Sequence, residues 1–363
     1  MALSEGPSFR AHELAFRTQY AELKERVRST PRLLPGTPGT LVKRSGTGRG
    51  YWYRVYQGAG GKQNEELVGR DTDEAAYAQA AEALAFAKWV SDQVRNLRRL
   101  EFQVADKAVG QVLVEMHNAG LFQAGLCVVG TLGYMAWLNE LGIRAVAVST
   151  QDIDFAARQD LKLAAPKSFP EVLERTKMPF HPVPSLAPSG PSSSLKLPGT
   201  AGLRVDLLTS GDETGRLTPI PGLQWHAQTI QHYDYLLEDA REAALLAGGH
   251  CVPVRLPSVE RFVWHKLYSG AVRKTFPEKA AKDLRQAATL AAALAEQDDD
   301  AMADSAAALP EAMRNTVVSR RKAILGALGG PLAPRSAVEH ALDNVIETGG
   351  RRGRGASPAP ASR

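Results

Sequence analysis

Residues 149–156 read Ser149-Thr-Gln-Asp-Ile-Asp-Phe-Ala156, and this stretch decides the fold class. Ile153 and Phe155 favour a strand, and Asp152 and Asp154 stand two residues apart. Side chains alternate along a strand, so both carboxylates point to one face and the apolar pair to the other. Two like charges on one face repel, and burying them unpaired costs free energy. Such a strand needs positive charge from elsewhere.

Working outward, "LFQAGLCVVG" (121–130) ends in a short apolar run that predicts a buried strand. "TLGYMAWLNELG" (131–142) then predicts a helix that closes at Gly142. Ser168-Phe-Pro-Glu171 has capping-box spacing and predicts a short helix. "SLAPSGPSSSLKLPGT" (185–200) reads as a mobile Pro/Ser/Gly loop. "LRVDLLTS" (203–210) predicts another strand, with Asp206 among apolar residues.

Towards the N-terminus, residues 10–28 predict a helix ended by Pro31 and Pro35. "GTLVKRSGTGRGYWYRVYQGAGGKQNEELVGR" (39–70) predicts a hairpin or small meander, with Tyr51, Tyr53 and Val55 on one face and Trp52, Arg54 and Tyr56 on the other. A long Ala-rich helix follows Asp71-Thr-Asp-Glu74 to about Leu100, and another spans about 104–119. The last third predicts helices at 259–270, 277–294, 308–327 and 335–347, then a disordered tail.

The chain has 363 residues, enough for one large domain or two to three ordinary ones, and is 44% hydrophobic and 23% charged, which suits a soluble globular protein. A net charge of +5 is compatible with an anionic ligand. Two cysteines, Cys127 and Cys251, both in apolar runs, read as buried thiols and exclude a disulfide framework. No apolar run is long enough to span a membrane and the first residues lack a signal-peptide pattern, so the expected location is cytoplasmic.

Gly130-Thr131, Asp152-Ile-Asp154 and Asp206 together read as a divalent-metal site. Mg²⁺ (or Mn²⁺) takes carboxylate oxygens and keeps water and substrate phosphates as its other ligands. Two ions held by Asp152 and Asp154 can bridge an acceptor hydroxyl and a triphosphate. Asp206 can hold one of them and draw the hydroxyl proton. Gly130 lets backbone approach a phosphate, and the Thr131 hydroxyl and helix N-terminus supply donors. Alone, an Asp-x-Asp is more often a solvated strand edge. The Gly-Thr turn before it and the Val-Asp-Leu after it favour the site.

These same residues resemble the signature of the DNA polymerase beta-like nucleotidyltransferase superfamily: a Gly-Ser or similar turn, an Asp-x-Asp, and a third Asp on another strand. "GTLGYMAWLNELGI", "TQDIDFA", "VPVRLPSVERFVWHKL" and "KAAKDLRQA" resemble a bacterial group related to the AbiEii-type enzymes of abortive-infection and toxin–antitoxin systems. The resemblance covers about residues 120–300. Thr131 stands where Ser is usual, with the hydroxyl retained. The resemblance implies transfer of a nucleoside monophosphate from an NTP to an acceptor with release of pyrophosphate. It implies that Asp152, Asp154 and Asp206 are metal ligands and catalytic acids. It also implies that Lys266 and Lys282 contact the triphosphate, and that an antitoxin or regulatory protein is a partner.

Other readings stand beside these. Lys266 and Lys282 also fit solvated helix faces, and His265 a structural histidine. Trp137, Trp264 and Phe262 read as core. Tyr51-Trp-Tyr53 with Arg44, Arg49 and Arg54 fits either an RNA-binding surface or cross-strand packing, with packing favoured.

The expected protein is therefore α+β. Residues 1–103 form an accessory helix-and-hairpin module, 104–250 the nucleotidyltransferase core, 251–350 a helical region, and 351–363 a tail. A cleft between core and helical region is expected to hold Mg²⁺ and an NTP. The basic balance tilts the acceptor towards RNA, such as a tRNA end. The alternatives are a catalytically silent nucleotide- or RNA-binding protein and an antibiotic nucleotidyltransferase.

Overall fold

The computed structural model describes residues 9–46, 49–159, 161–184, 190–298, 300–328 and 332–353. The protein is α+β. Its chain divides into a unit of residues 12–256 and a second unit of residues 257–363 with 1–11.

The larger unit begins with helix α1 (Leu14–Arg28), then strands β1 (Thr40–Gly46), β2 (Arg49–Gln57) and β3 (Gln63–Arg70). These strands form an antiparallel meander, β1-β2-β3, with a bulge opposite Trp52 and Tyr53. The bulge lies where Gly69 pairs with Trp52 and Leu67 with Tyr53, leaving Val68 as the extra residue.

Arg54 fastens this meander to the preceding loop. Its guanidinium donates to the carbonyls of Pro35 at 2.7 Å, Thr37 at 2.6 Å and Pro38 at 2.9 Å. It also stacks 4.0 Å from the Tyr56 ring centroid and approaches Glu66 at 3.3 Å. Its role is therefore internal. Helix α2 (Glu74–Arg99) starts at Asp73, which caps it by accepting from the Ala76 amide at 2.9 Å. Tyr77 of this helix meets Trp52 with ring centroids 4.7 Å apart.

Helix α3 (Lys107–Asn118), the short strand β4 (Cys127–Val128) and helix α4 (Gly130–Glu140) lead to strand β5 (Asp152–Ala156). Helix α5 (Phe169–Glu174) opens at Ser168, whose hydroxyl accepts from the Glu171 amide at 3.3 Å, as the capping-box spacing predicts. Strands β6 (His181–Pro182), β7 (Ser194–Lys196) and β8 (Arg204–Ser210) follow. Of the predicted loop 185–200, residues 185–189 lie outside the described residues, and 194–196 form a strand instead. Strands β9 (Leu217–Ile220), β10 (Trp225–Ile230), β11 (Ala240–Ala247) and β12 (His250–Pro257) complete the unit, with the short helix α6 (Tyr233–Leu237) before β11.

The central sheet runs β9-β10-β8-β5-β4, with β7 also on β8. β5 and β8 are parallel. The other edge of β8 is shared: β7 pairs antiparallel with Arg204–Asp206, and β10 pairs parallel with Leu208–Ser210. Ile153, Phe155, Val205 and Leu207 are fully buried and form the core face. Each contributes about 1.5–3 kcal/mol of burial, which fixes which face of the pair is wet. Phe155 lies between Phe122 and Phe169, at centroid distances of 6.1 and 6.2 Å.

Glu140, at the end of α4, ties the unit together. It accepts from Tyr20 at 2.8 Å, Lys24 at 2.6 Å and the Ala244 amide at 2.8 Å. Burial raises the Tyr20 hydroxyl pKa well above its ordinary value, so it remains a donor.

The smaller unit is helical: α7 (Val259–Val272), α8 (Pro277–Gln297), α9 (Ala301–Ala306), α10 (Glu311–Ser319), α11 (Arg321–Ala327) and α12 (Leu332–Gly353). Trp264 is fully buried and donates to Ser305 at 2.8 Å. Arg321 holds α12 through Glu339 at 2.9 Å and Asp343 at 2.9 Å. The helix continues through Gly353, into the stretch whose composition reads as a tail, and residues 354–363 lie outside the described residues.

Candidate active site

The parallel register of β5 and β8 sets Asp206 directly opposite Asp154, and Arg204 opposite Asp152. Adjacent strands lie about 4.8 Å apart. Asp152, Asp154 and Asp206 therefore share the face turned away from Ile153, Phe155, Val205 and Leu207. Asp152 is exposed, and Asp154 and Asp206 are partly exposed.

Asp206 has two neighbours that sequence reading did not anticipate. Arg204 donates to its carboxylate at 2.8 Å, and the Ser194 hydroxyl donates to the same oxygen. Arg204 also donates to the Ser194 hydroxyl at 2.9 Å. Strand alternation made Arg204 findable, because it stands two residues before Asp206. Ser194 was hidden in the Pro/Ser stretch.

Gly130 stands against Asp154. Its φ is +64°, a left-handed conformation that L side chains rarely adopt. A Cβ there would lie 2.0 Å from Asp154 Oδ2. The Val129 amide donates to the Asp154 carbonyl at 2.9 Å. The Gly-Thr turn and the Asp-x-Asp strand thus meet in space: the strand brings the chain up beside the carboxylate, and only glycine leaves room for it. Thr131 follows in the first turn of α4 and is partly exposed.

The lysines lie in the helical unit. Lys266 is buried in α7, 2.9 Å from Asp283 of α8 and 5.0 Å from the Phe262 ring centroid. Arg273 approaches the other Asp283 oxygen at 3.3 Å. Lys266 is thus paired rather than part of a solvated face. Lys282, partly exposed, precedes Asp283 in α8. His265 is buried, its ring nitrogen 3.4 Å from the Ser269 hydroxyl. Trp137, Trp264 and Phe262 are buried, as expected of core residues.

Both cysteines are buried and free. Burial pushes the Cys127 thiol up to about 12 and raises the Cys251 thiol as well, so neither supplies a thiolate at neutral pH. No helix among the described residues is long and apolar enough to cross a membrane.

A family model described as nucleotidyltransferase matches residues 107–310, more than half of the chain. The chain belongs to this nucleotidyltransferase family. The match contains the turn at Gly130, all three aspartates, and both lysines. As a nucleotidyltransferase, the protein is an enzyme that moves a nucleoside monophosphate. No curated protein and no solved structure matches the chain.

The donor set suits a hard cation in kind, since all three acids offer oxygen and face one way. Among the described residues, no three His, Cys, Asp or Glu side chains converge as a ready ion site. The vacancy at Gly130 gives the Asp154 carboxylate the space that a side chain would take.

Proposed function

We propose that this nucleotidyltransferase is metal-dependent and that Asp152, Asp154 and Asp206 are its working carboxylates. The observation that carries this reading is the register that sets Asp206 opposite Asp154 on the wet face of two parallel strands. Asp152 and Asp154 would hold a Mg²⁺ or Mn²⁺, with Asp206 as third acid. When bound, the cation neutralises triphosphate charge and polarises the phosphoryl group.

Asp206 takes the proton of the acceptor hydroxyl. The acceptor oxygen bonds to the α-phosphorus of the NTP. The bond from that phosphorus to the β-phosphate oxygen breaks, and pyrophosphate leaves with the electron pair. Arg204 and Ser194 hold the Asp206 carboxylate in a fixed orientation for this transfer. Gly130 and Thr131 would bind the nucleotide, and the assignment of Lys266 and Lys282 to its triphosphate follows from the family resemblance alone.

The acceptor favoured by the basic net charge is RNA, such as a tRNA 3′ end. Kinship with AbiEii-type enzymes, a toxin or defence role, a restraining partner protein and a cytoplasmic location rest on the sequence reading alone.

The experiment uses each of the four α-labelled NTPs with Mg²⁺, total tRNA and cell lysate, comparing wild type with Asp154→Ala. The expected result is label on RNA that disappears in the variant. Label on protein or on a small molecule, equally lost in the variant, would keep the chemistry and replace the acceptor. Transfer undiminished in Asp154→Ala would refute the assignment of the acids.

A further inference from the structure

The β1-β2-β3 meander has two chemically different faces. On the inner face, Trp52 packs on Tyr77, and Arg54 and Tyr56 are buried. The outer face carries Val42 and Arg44 of β1, Tyr51, Tyr53 and Val55 of β2, and Leu67 and Arg70 of β3. Register places Tyr51 between Arg44 and Arg70, and Tyr53 between Val42 and Leu67. The bulge at Val68 is what turns both Leu67 and Arg70 outward.

Burial follows this division. Arg44, Leu67 and Arg70 are exposed, Leu67 to 57%, while Tyr51 and Tyr53 are partly exposed. Arg49, opposite Gly46 at the end of the hairpin, is also exposed. Glu65 is the acidic residue opposite Val55, and it pairs with Arg44.

The outer face thus carries a cross-strand row of guanidinium, tyrosine and guanidinium beside a second tyrosine. A contiguous apolar patch rimmed by polar residues marks an interaction site, and here Leu67, Tyr53 and Val42 adjoin across the three strands beside Tyr51. Arginines around that patch select an anionic partner, and the tyrosine rings offer π faces to planar groups. Single-stranded nucleic acid supplies both, bases for the rings and phosphates for the guanidiniums.

We infer that the outer face of the meander is a binding platform for single-stranded RNA, with Tyr51 and Tyr53 stacking bases and Arg44, Arg49 and Arg70 holding phosphates. The inference rests on the RNA-acceptor reading only for the choice of RNA over DNA. It also divides the aromatic segment, since Trp52 and Arg54 serve packing while Tyr51 and Tyr53 serve the partner.

The test is fluorescence anisotropy with the full chain, without NTP. The probe is a fluorescein-labelled oligouridylate of roughly 12 nucleotides, within the range of single-strand site sizes. Tyr51→Ala/Tyr53→Ala should weaken binding by about tenfold or more, from stacking of ~1–3 kcal/mol per base. Tyr51→Phe/Tyr53→Phe retains the rings and should bind like wild type, as should Arg95→Ala, which removes an exposed arginine from α2.

Three phosphate contacts predict a fall of roughly twentyfold in affinity between ~50 and ~200 mM salt. Circular dichroism should show all variants folded. Equal affinity for the double alanine variant and wild type would overturn the inference. So would loss of a co-purifying protein from that variant with RNA affinity unchanged, which would make the face a protein-docking surface. Asp154→Ala should bind the probe like wild type. Tyrosine-dependent binding without any labelling of RNA would sustain the platform and remove only the RNA-acceptor reading.

Discussion

The β5–β8 pair and the α7–α8 pair both carry acidic and basic side chains, in opposite settings. On the sheet, Asp206 stands in register with Asp154 on a face that water reaches, with Arg204 2.8 Å from Asp206. In the helices, Lys266 and Asp283 are drawn into the packed interior, 2.9 Å apart, with side-chain exposures of 8% and 16%. Three carboxylates against the single guanidinium of Arg204 leave an acidic excess there that suits a cationic ligand. Opposite charges sunk together already answer one another, and breaking one leaves the other buried. The sheet arrangement is the one on which the proposed site rests. The helical arrangement is first a structural joint, whatever it also does for a nucleotide.

Substitutions can separate the two. The largest effect is expected for Asp206→Asn, with turnover falling by about 10²–10⁴-fold as the proton acceptor is lost. Its folding stability should scarcely change, because Arg204 is 39% exposed and water can replace the lost charge. Steady-state kinetics beside urea denaturation would show both. A variant equally impaired in folding would erase the contrast.

Lys266→Ala should do the reverse, lowering stability by about 3 kcal/mol as Asp283 loses its nearest cation. Arg273, 3.3 Å from Asp283, sets the limit on that loss. If Lys266 also contacts the triphosphate, NTP affinity measured on the folded fraction should drop by about 1–3 kcal/mol. Unchanged affinity would leave Lys266 with the structural role alone.

Gly130→Ala is the smallest change. The left-handed conformation costs an L residue about 1–2 kcal/mol. The new Cβ would also displace the Asp154 carboxylate, so activity should fall further than stability does. A variant of normal activity would mean that the turn does not position the acid.

The acid-bearing strands were legible because alternation of Asp with Ile, Phe, Val and Leu leaves one arrangement that buries the apolar set. The turn was legible because a glycine between an apolar strand and a helix implies a close approach, here to Asp154 itself. Other parts competed with stronger local signals. "AREAALLA" has the composition of a helix, yet residues 240–247 pair with 250–257 as a hairpin. Gly248 and Gly249, with φ of +59° and +107°, make the turn, and tertiary pairing overrides helix propensity. Ser194 was obscured by its Pro/Ser neighbours, although pairing with β8 puts it on Asp206. Packing was the favoured reading of the segment around Arg54, and the path of residues 35–38 supplies the carbonyls that hold its guanidinium inside.

The most direct measurement is an anomalous-scattering crystal structure with Mn²⁺ and a non-hydrolysable NTP. The expected result is an ion bound by Asp152 and Asp154, with the triphosphate beside the Gly130-Thr131 turn. An ion held elsewhere, with those carboxylates facing only water, would contradict it.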